Sequence, residues 1–175
     1  MSMNILVIGG TSGFGQKIAT AFEGHSVLAT GRNNGYDLRG GEWVYTLLQA
    51  TNRMWGGASY IDAVVFAAYD RRFEQDNVQL AACRTLYQVL KHRPVKFIVI
   101  GDMLHHYEPT DSLYTANKRA LYNQILSWGR DPERECGLLL YEPWEVNLES
   151  QAVEAFVGAF NSLHAGDFLI QTFRR

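Results

Sequence analysis

Between the apolar run Met3-Asn4-Ile5-Leu6-Val7-Ile8 and the amphipathic segment Gln16 to Glu23 lies Gly9-Gly10-Thr11-Ser12-Gly13-Phe14-Gly15. The first run is short and bounded, as a buried parallel strand is, and Ile18, Ala19 and Phe22 share one helical face. The order is therefore strand, glycine turn, helix. A helix N-terminus carries unpaired backbone N–H groups and partial positive charge, so a pyrophosphate fits there wherever no side chain blocks its approach. Glycine at 9, 13 and 15 removes those side chains.

The alternation begun by this unit continues. Ser26 to Thr30 reads as a second strand, followed by the turn Gly31-Arg32-Asn33-Asn34-Gly35 and, at Tyr36 to Leu38, at most a stub strand. Glu42 to Met54 has helical spacing and Ile61 to Ala68 reads as a buried strand. Asp76 is expected to cap a helix through His92, which Pro94 separates from a strand at Lys96 to Ile100. A polar loop, a helix from Ser112 to Gly129, a strand at Gly137 to Tyr141, a helix from Ser150 to His164 and a strand at Phe168 to Phe173 complete the chain. This pattern predicts a Rossmann-like, doubly wound parallel α/β sheet of six or seven strands in three layers, with ligands at the carboxyl ends of the strands.

A length of 175 residues suits a single domain spanning the chain and leaves no room for a second, substrate-binding one. A net charge of −2 supplies no basic field for nucleic acid, and no apolar run approaches membrane-spanning length. Cys83 and Cys136 sit in apolar contexts without metal-ligand spacing, so reduced, buried thiols, no metal site and a cytoplasmic location are expected.

The spacing Gly9-x-x-x-Gly13-x-Gly15, with Tyr114-Thr115-Ala116-Asn117-Lys118 after the strand ending at Ile100, resembles the short-chain dehydrogenase/reductase family. The resemblance covers nearly the whole chain in element order, with Ile8 where the family commonly has threonine. It implies a nicotinamide dinucleotide held by Gly9, Thr11, Ser12, Gly13, Phe14, Gly15 and Ala68. It also implies hydride transfer to or from a small carbonyl or alcohol, with Tyr114 as acid/base and Lys118 tuning it and binding the nicotinamide ribose. Four residues apart on a helix, the two share a face, and an ammonium beside a phenol favours phenolate. Tyr87 and Lys91 have the same spacing but precede the strand at 96 to 100, and are read as structural.

By the same resemblance Asn77 is a candidate catalytic asparagine that holds a proton-relaying water, or it is a helix cap. Gly31 stands where an acidic residue would bind the ribose 2′-hydroxyl, and Arg32 follows with charge for a 2′-phosphate, which favours NADP(H) over NAD(H). Asp37 is either an adenine contact or a turn former. The chain departs from the family at Asp102, in the place of the carbonyl-polarising serine, which leaves His105, His106 or Ser112 as substitute donors. It departs again at Tyr69, a bulky residue where glycine usually meets the cofactor. Trp144 also replaces a glycine and either walls the pocket or closes a core, and Asn147 lies only near the expected carboxamide clamp. A catalytically degenerate dinucleotide-binding protein is the alternative these departures leave open. A homodimer or homotetramer is expected through the helices near 76 to 92 and 113 to 129, with Cys83, Leu86, Leu90, Leu121, Ile125 and Trp128 as apolar surface.

Overall fold

The computed structural model describes residues 1–107, 112–143 and 149–173. Six strands form one wholly parallel sheet: β1 (Asn4–Ile8), β2 (Ser26–Thr30), β3 (Ala63–Phe66), β4 (Lys96–Ile100), β5 (Gly137–Pro143) and β6 (Phe168–Phe173), in the order β2-β1-β3-β4-β5-β6. Five helices connect them: α1 (Gly13–Ala21), α2 (Glu42–Trp55), α3 (Val78–Leu90), α4 (Leu113–Gly129) and α5 (Glu149–Ser162). The doubly wound sheet expected from the alternation is present, with six strands. Residues 36–38 form no strand, so the sheet ends at β2.

The four central strands are hydrophobic on both faces because helices cover both. Leu6, Ile8, Val64, Phe66, Phe97 and Val99 pack with Trp43 and Leu47 of α2, Leu86 and Tyr87 of α3, and Leu121 and Ile125 of α4. On the opposite face Ile5, Val7, Val65, Ile98 and Leu139 meet Ile18 of α1 and Phe156 and Phe160 of α5. Parallel strands cannot be joined by tight turns, and each crossover helix buries its apolar stripe on the sheet. Among the described residues, the segments that leave the carboxyl ends of β1 to β4 are therefore gathered along one rim.

Three expectations are corrected. The cap of α3 is Asn77, whose side chain accepts from Leu80 N at 3.3 Å, because residues Arg71–Asp76 are taken up by a separate 3₁₀ turn. Asn77 sits at φ 43°, a left-handed conformation that asparagine tolerates better than most residues. The six apolar residues expected to face a partner subunit point inward instead: Cys83, Leu86, Leu90, Leu121, Ile125 and Trp128 are all buried within the chain's own core. Their periodicity marks the stripe that the sheet covers, and sequence spacing alone does not distinguish a sheet-facing stripe from a subunit-facing one. β3 is shorter than the apolar run suggested, since the chain leaves the ladder after Phe66 to enter the rim.

Tyr87 and Lys91 have the structural roles read from their position. The Tyr87 hydroxyl donates to Asp131 at 2.8 Å and its ring stacks on Trp128 with centroids 4.1 Å apart, while Lys91 pairs with Asp131 and Glu133. Cys83 and Cys136 are free and buried. Burial raises both thiols, Cys136 to about 11. Among the described residues no helix is long and apolar enough to cross a membrane.

Candidate functional site

The glycine turn closes onto the backbone of its neighbours. Gly9, at φ 82°, lies so near the β3 exit that a Cβ there would stand 2.7 Å from Ala68 N and Cα, and a Cβ on Gly15 would collide with Gly9 O. Gly9 N and Gly10 N both donate to Thr30 O, at 2.8 and 3.0 Å, which fixes the turn to the end of β2. Ser12 is the N-cap of α1 in extended conformation and makes no side-chain cap bond, so its first-turn amides face the rim without a capping oxygen. The glycines let the turn pack against its own backbone, and the open amides of α1 stand at a partially positive helix end. It fits a diphosphate.

A cavity of about 640 Å³ opens on this turn, within the usual range for a small-molecule site. Gly9, Thr11, Ser12, Gly13, Phe14 and Gly15 line it from β1 and α1, Arg32 from the turn after β2, and Ala68 and Tyr69 from the turn after β3. The structure thus brings together every proposed cofactor residue except Asp37 and Lys118. Asp37 is taken up by an ion pair with Arg39, whose side-chain hydrogen bond holds its carboxyl well below the usual range, and it does not line the cavity. Asn34 receives Gly31 N at 2.8 Å and donates to Ala29 O at 3.0 Å, a turn that presents Arg32 at the rim. A Cβ on Gly31 would collide with Thr11 Oγ1, so the Thr11 side chain packs closely over the turn there.

The cavity reaches Ile100 at the end of β4 and stops at Tyr69. The Tyr69 ring stands edge-on to Tyr114 with centroids 4.9 Å apart, and Lys118 Nζ lies 4.7 Å from its centroid and 5.5 Å from that of Tyr114. Tyr69 is held by donating to Glu74 at 2.9 Å and accepting from Asn117 at 3.4 Å. The bulky residue found in the sequence therefore both lines the cavity and covers the lysine.

Tyr114 and Lys118 do share a face of α4, but the electrostatics differ from the expectation. Lys118 is 6% exposed and donates to Gln79 Oε1 at 3.2 Å, and burial brings its ammonium down to about 8. The Tyr114 phenol is raised, not lowered, first by burial and then by the hydrogen bond it donates to Asp102. A carboxylate accepting from the O–H stabilises the neutral phenol and repels the phenolate. That outweighs a lysine which is itself disfavoured as a cation. Asp102 is fixed as the N-cap of the 3₁₀ turn Met103–His106, accepting from Leu104 N at 2.8 Å.

Sequence reasoning missed Gln79. It is 3% exposed, donates to Ala68 O at 3.0 Å and holds Lys118, two residues beyond Asn77, whose own oxygen is spent on capping. The polar partner of the lysine lies on the first turn of α3, and only the displacement of the helix start identifies which residue it is. The three proposed substitute donors are engaged elsewhere. Ser112 caps α4 by accepting from Thr115 N at 3.1 Å, and both histidines direct Nε2 at Glu142. Glu142 was not anticipated, because it lies 37 residues from His105 along the chain and meets it only through the β4–β5 pairing. Trp144 and Asn147 lie outside the described residues.

No protein-family model matches the chain, and no curated protein sequence does. Among solved structures, the chain superposes on a serine dehydrogenase from Escherichia coli with a TM-score of 0.76 at 21% identity, over 99% of this chain and 97% of that one. It superposes on a short-chain dehydrogenase from Streptomyces avermitilis with a TM-score of 0.75 at 18% identity, over 97% and 88%. A short-chain dehydrogenase/reductase family oxidoreductase from Aeromonas hydrophila gives 0.68 at 17% identity, over 98% and 100%. The fold is that of the short-chain dehydrogenases/reductases.

Proposed function

We propose that the chain is a short-chain dehydrogenase-type oxidoreductase that uses NADP(H) and works on a small carbonyl or alcohol. The observation that carries this reading is a glycine turn at an uncapped helix end, on the same strand rim as a half-buried Tyr114 and a buried Lys118. The amides opening α1 hold the diphosphate, Arg32 meets a 2′-phosphate, and Ala68 and Phe14 wall the cavity. When bound, the dinucleotide supplies or receives the hydride.

Tyr114 is the acid. Burial and Asp102 keep its phenol protonated through the neutral range, the state in which it can give a proton to an oxyanion forming beside it. The substrate oxygen must take the place of Asp102 as acceptor of the phenol hydrogen bond. Lys118, anchored by Gln79, supplies nearby positive charge in the fraction of molecules where it is protonated.

The test is NADPH fluorescence titration together with NADPH oxidation in the presence of small aldehydes and ketones. Tyr114→Phe should abolish oxidation with cofactor affinity little changed. Arg32→Ala should weaken NADPH alone, and equal weakening toward NADH counts against the cofactor preference. A second reading, a dinucleotide-binding protein without turnover, is favoured by Tyr69 over Lys118 and by Asp102 in the serine's place. Under it, wild type and Tyr114→Phe bind NADPH equally and neither oxidises it.

A further inference from the structure

Beside the proton-transfer pair lies a cluster that the proposed reaction does not use. His105 Nε2 is 2.5 Å from Glu142 Oε2 and His106 Nε2 is 3.0 Å from Glu142 Oε1, so two consecutive imidazoles converge on the two oxygens of one carboxylate. The ligand atoms of all three residues lie within 4.8 Å of one another. His105 and Glu142 are each 1% exposed, whereas His106 retains 31% and opens the cluster to solvent on one side. A carboxylate buried this deeply is expensive unless its charge is compensated.

The surroundings are shaped around these groups. A Cβ at Gly101 would stand 3.1 Å from Glu142 Cγ and 3.3 Å from Oε2, so glycine at 101 makes the space that the carboxylate occupies. Arg119 donates to the backbone oxygen of His105, and Tyr122 packs against both imidazoles with centroids 5.1 and 4.8 Å away. Ring orientation is thus set from outside the cluster, as supporting contacts do for metal-ligating histidines.

We propose that His105, His106 and Glu142 form a binding site for a divalent transition-metal ion, with zinc the best match. Two imidazole nitrogens and one carboxylate oxygen are a three-ligand set that leaves a fourth position for water, and mixed nitrogen and oxygen donors disfavour magnesium and calcium. On binding, each imidazole turns a lone pair on Nε2 toward the ion and keeps its proton on Nδ1. The nitrogen–oxygen contacts lengthen, by roughly 1 Å for His105 and roughly half an ångström for His106, to reach the roughly 3.3–3.6 Å that separates ligand atoms around a tetrahedral ion bonded at about 2.0–2.2 Å. The occupied site braces the end of β5 to the 3₁₀ turn that Asp102 caps, and so fixes the acceptor that holds Tyr114. The proposal stands apart from the oxidoreductase reading, since neither needs the other.

The test is calorimetric titration of zinc chloride into chelator-stripped full-length protein, with cobalt absorption as a geometry probe. Wild type should bind one zinc per chain, give a tetrahedral cobalt spectrum and melt at a higher temperature with metal. Glu142→Gln keeps the side chain's shape, and His106→Ala removes the partly exposed ligand. Each should weaken zinc by at least about 100-fold, whereas the exposed His164→Ala should leave it unchanged. Should Glu142→Gln fail to fold, His106→Ala still decides. Absence of stoichiometric zinc binding in wild type, or undiminished binding in His106→Ala, overturns the proposal and leaves a hydrogen-bonded brace.

Discussion

Lys118 is held in the core at a cost that can be measured. Its ammonium falls from an ordinary 10.5 to about 8, chiefly through burial. That drop corresponds to about 3 kcal/mol against the charged form in the folded state. Consider Lys118→Met, which keeps the length and loses the charge. Between pH 8 and 10.5 the unfolded wild-type chain still holds the lysine proton while the folded one has released it, so the unfolded state binds more protons and wild-type stability rises with pH across that window. Below pH 8 the full penalty applies. The methionine variant has no such dependence, and other titrations cancel when the two proteins are compared. The stability of Lys118→Met relative to wild type should therefore be higher by about 3 kcal/mol at pH 7 than at pH 10.5. A constant offset of about 1–3 kcal/mol opposes this, from the Gln79 oxygen left without its donor. Urea unfolding of both proteins at half-unit steps from pH 6 to 10.5 gives the difference curve directly. A flat curve would refute the reasoning, for it would mean that Lys118 titrates in the fold as it does in water.

Gly15→Ala drives a methyl into Gly9 O and to 3.2 Å from Ala67 Cβ. It should cost about 1–3 kcal/mol of stability by overpacking, and NADPH titration should show the affinity largely lost in a protein that still folds. Asp102→Ser restores a hydroxyl donor at the β4 exit and should raise the rate of NADPH-dependent carbonyl reduction by about 100-fold. Steady-state kinetics in which this variant is slower than wild type would show the carboxylate doing work that a hydroxyl cannot. Tyr69→Ala uncovers Lys118 and, under the proposed reading in which the lysine meets the nicotinamide half, should tighten NADPH while leaving 2′,5′-ADP unchanged. Parallel titrations of the two ligands check this.

Fold class was legible because it is written in local, repeated signals. Apolar runs such as Ala63 to Ala68 or Phe97 to Ile100 are short and rich in β-branched residues, as strands covered on both faces are, and each is followed by a helical stripe. Where the reading failed, one stripe had two physically equivalent destinations. Leu86 and Leu90 on α3, with Leu121 and Ile125 on α4, would look the same whether they met the sheet or a second subunit. The start of α3 was misplaced by one residue for a related reason: Asp76 and Asn77 are both good caps, and the choice was made by the 3₁₀ turn that uses up Arg71–Asp76.

The candidate site divides along the same line. Its glycine turn is a backbone feature, and backbone features leave a sequence mark: where the chain must turn at positive φ or approach itself closely, glycine at 9 and 15 is the permissive residue. Its electrostatics are a side-chain feature built across elements. Tyr114 meets Asp102 across 12 residues, Lys118 meets Gln79 across 39, and Glu142 meets both histidines across 36 and 37. None of these pairings has a periodicity, so spacing on one helix suggested that Lys118 would lower the Tyr114 phenol. The partner that decides its protonation, Asp102, comes from the turn after β4 and has the opposite sign to the lysine. A Y-x-x-x-K spacing therefore fixes which face two groups share, while the direction in which the phenol is shifted depends on the residue that stands just after β4, Asp102.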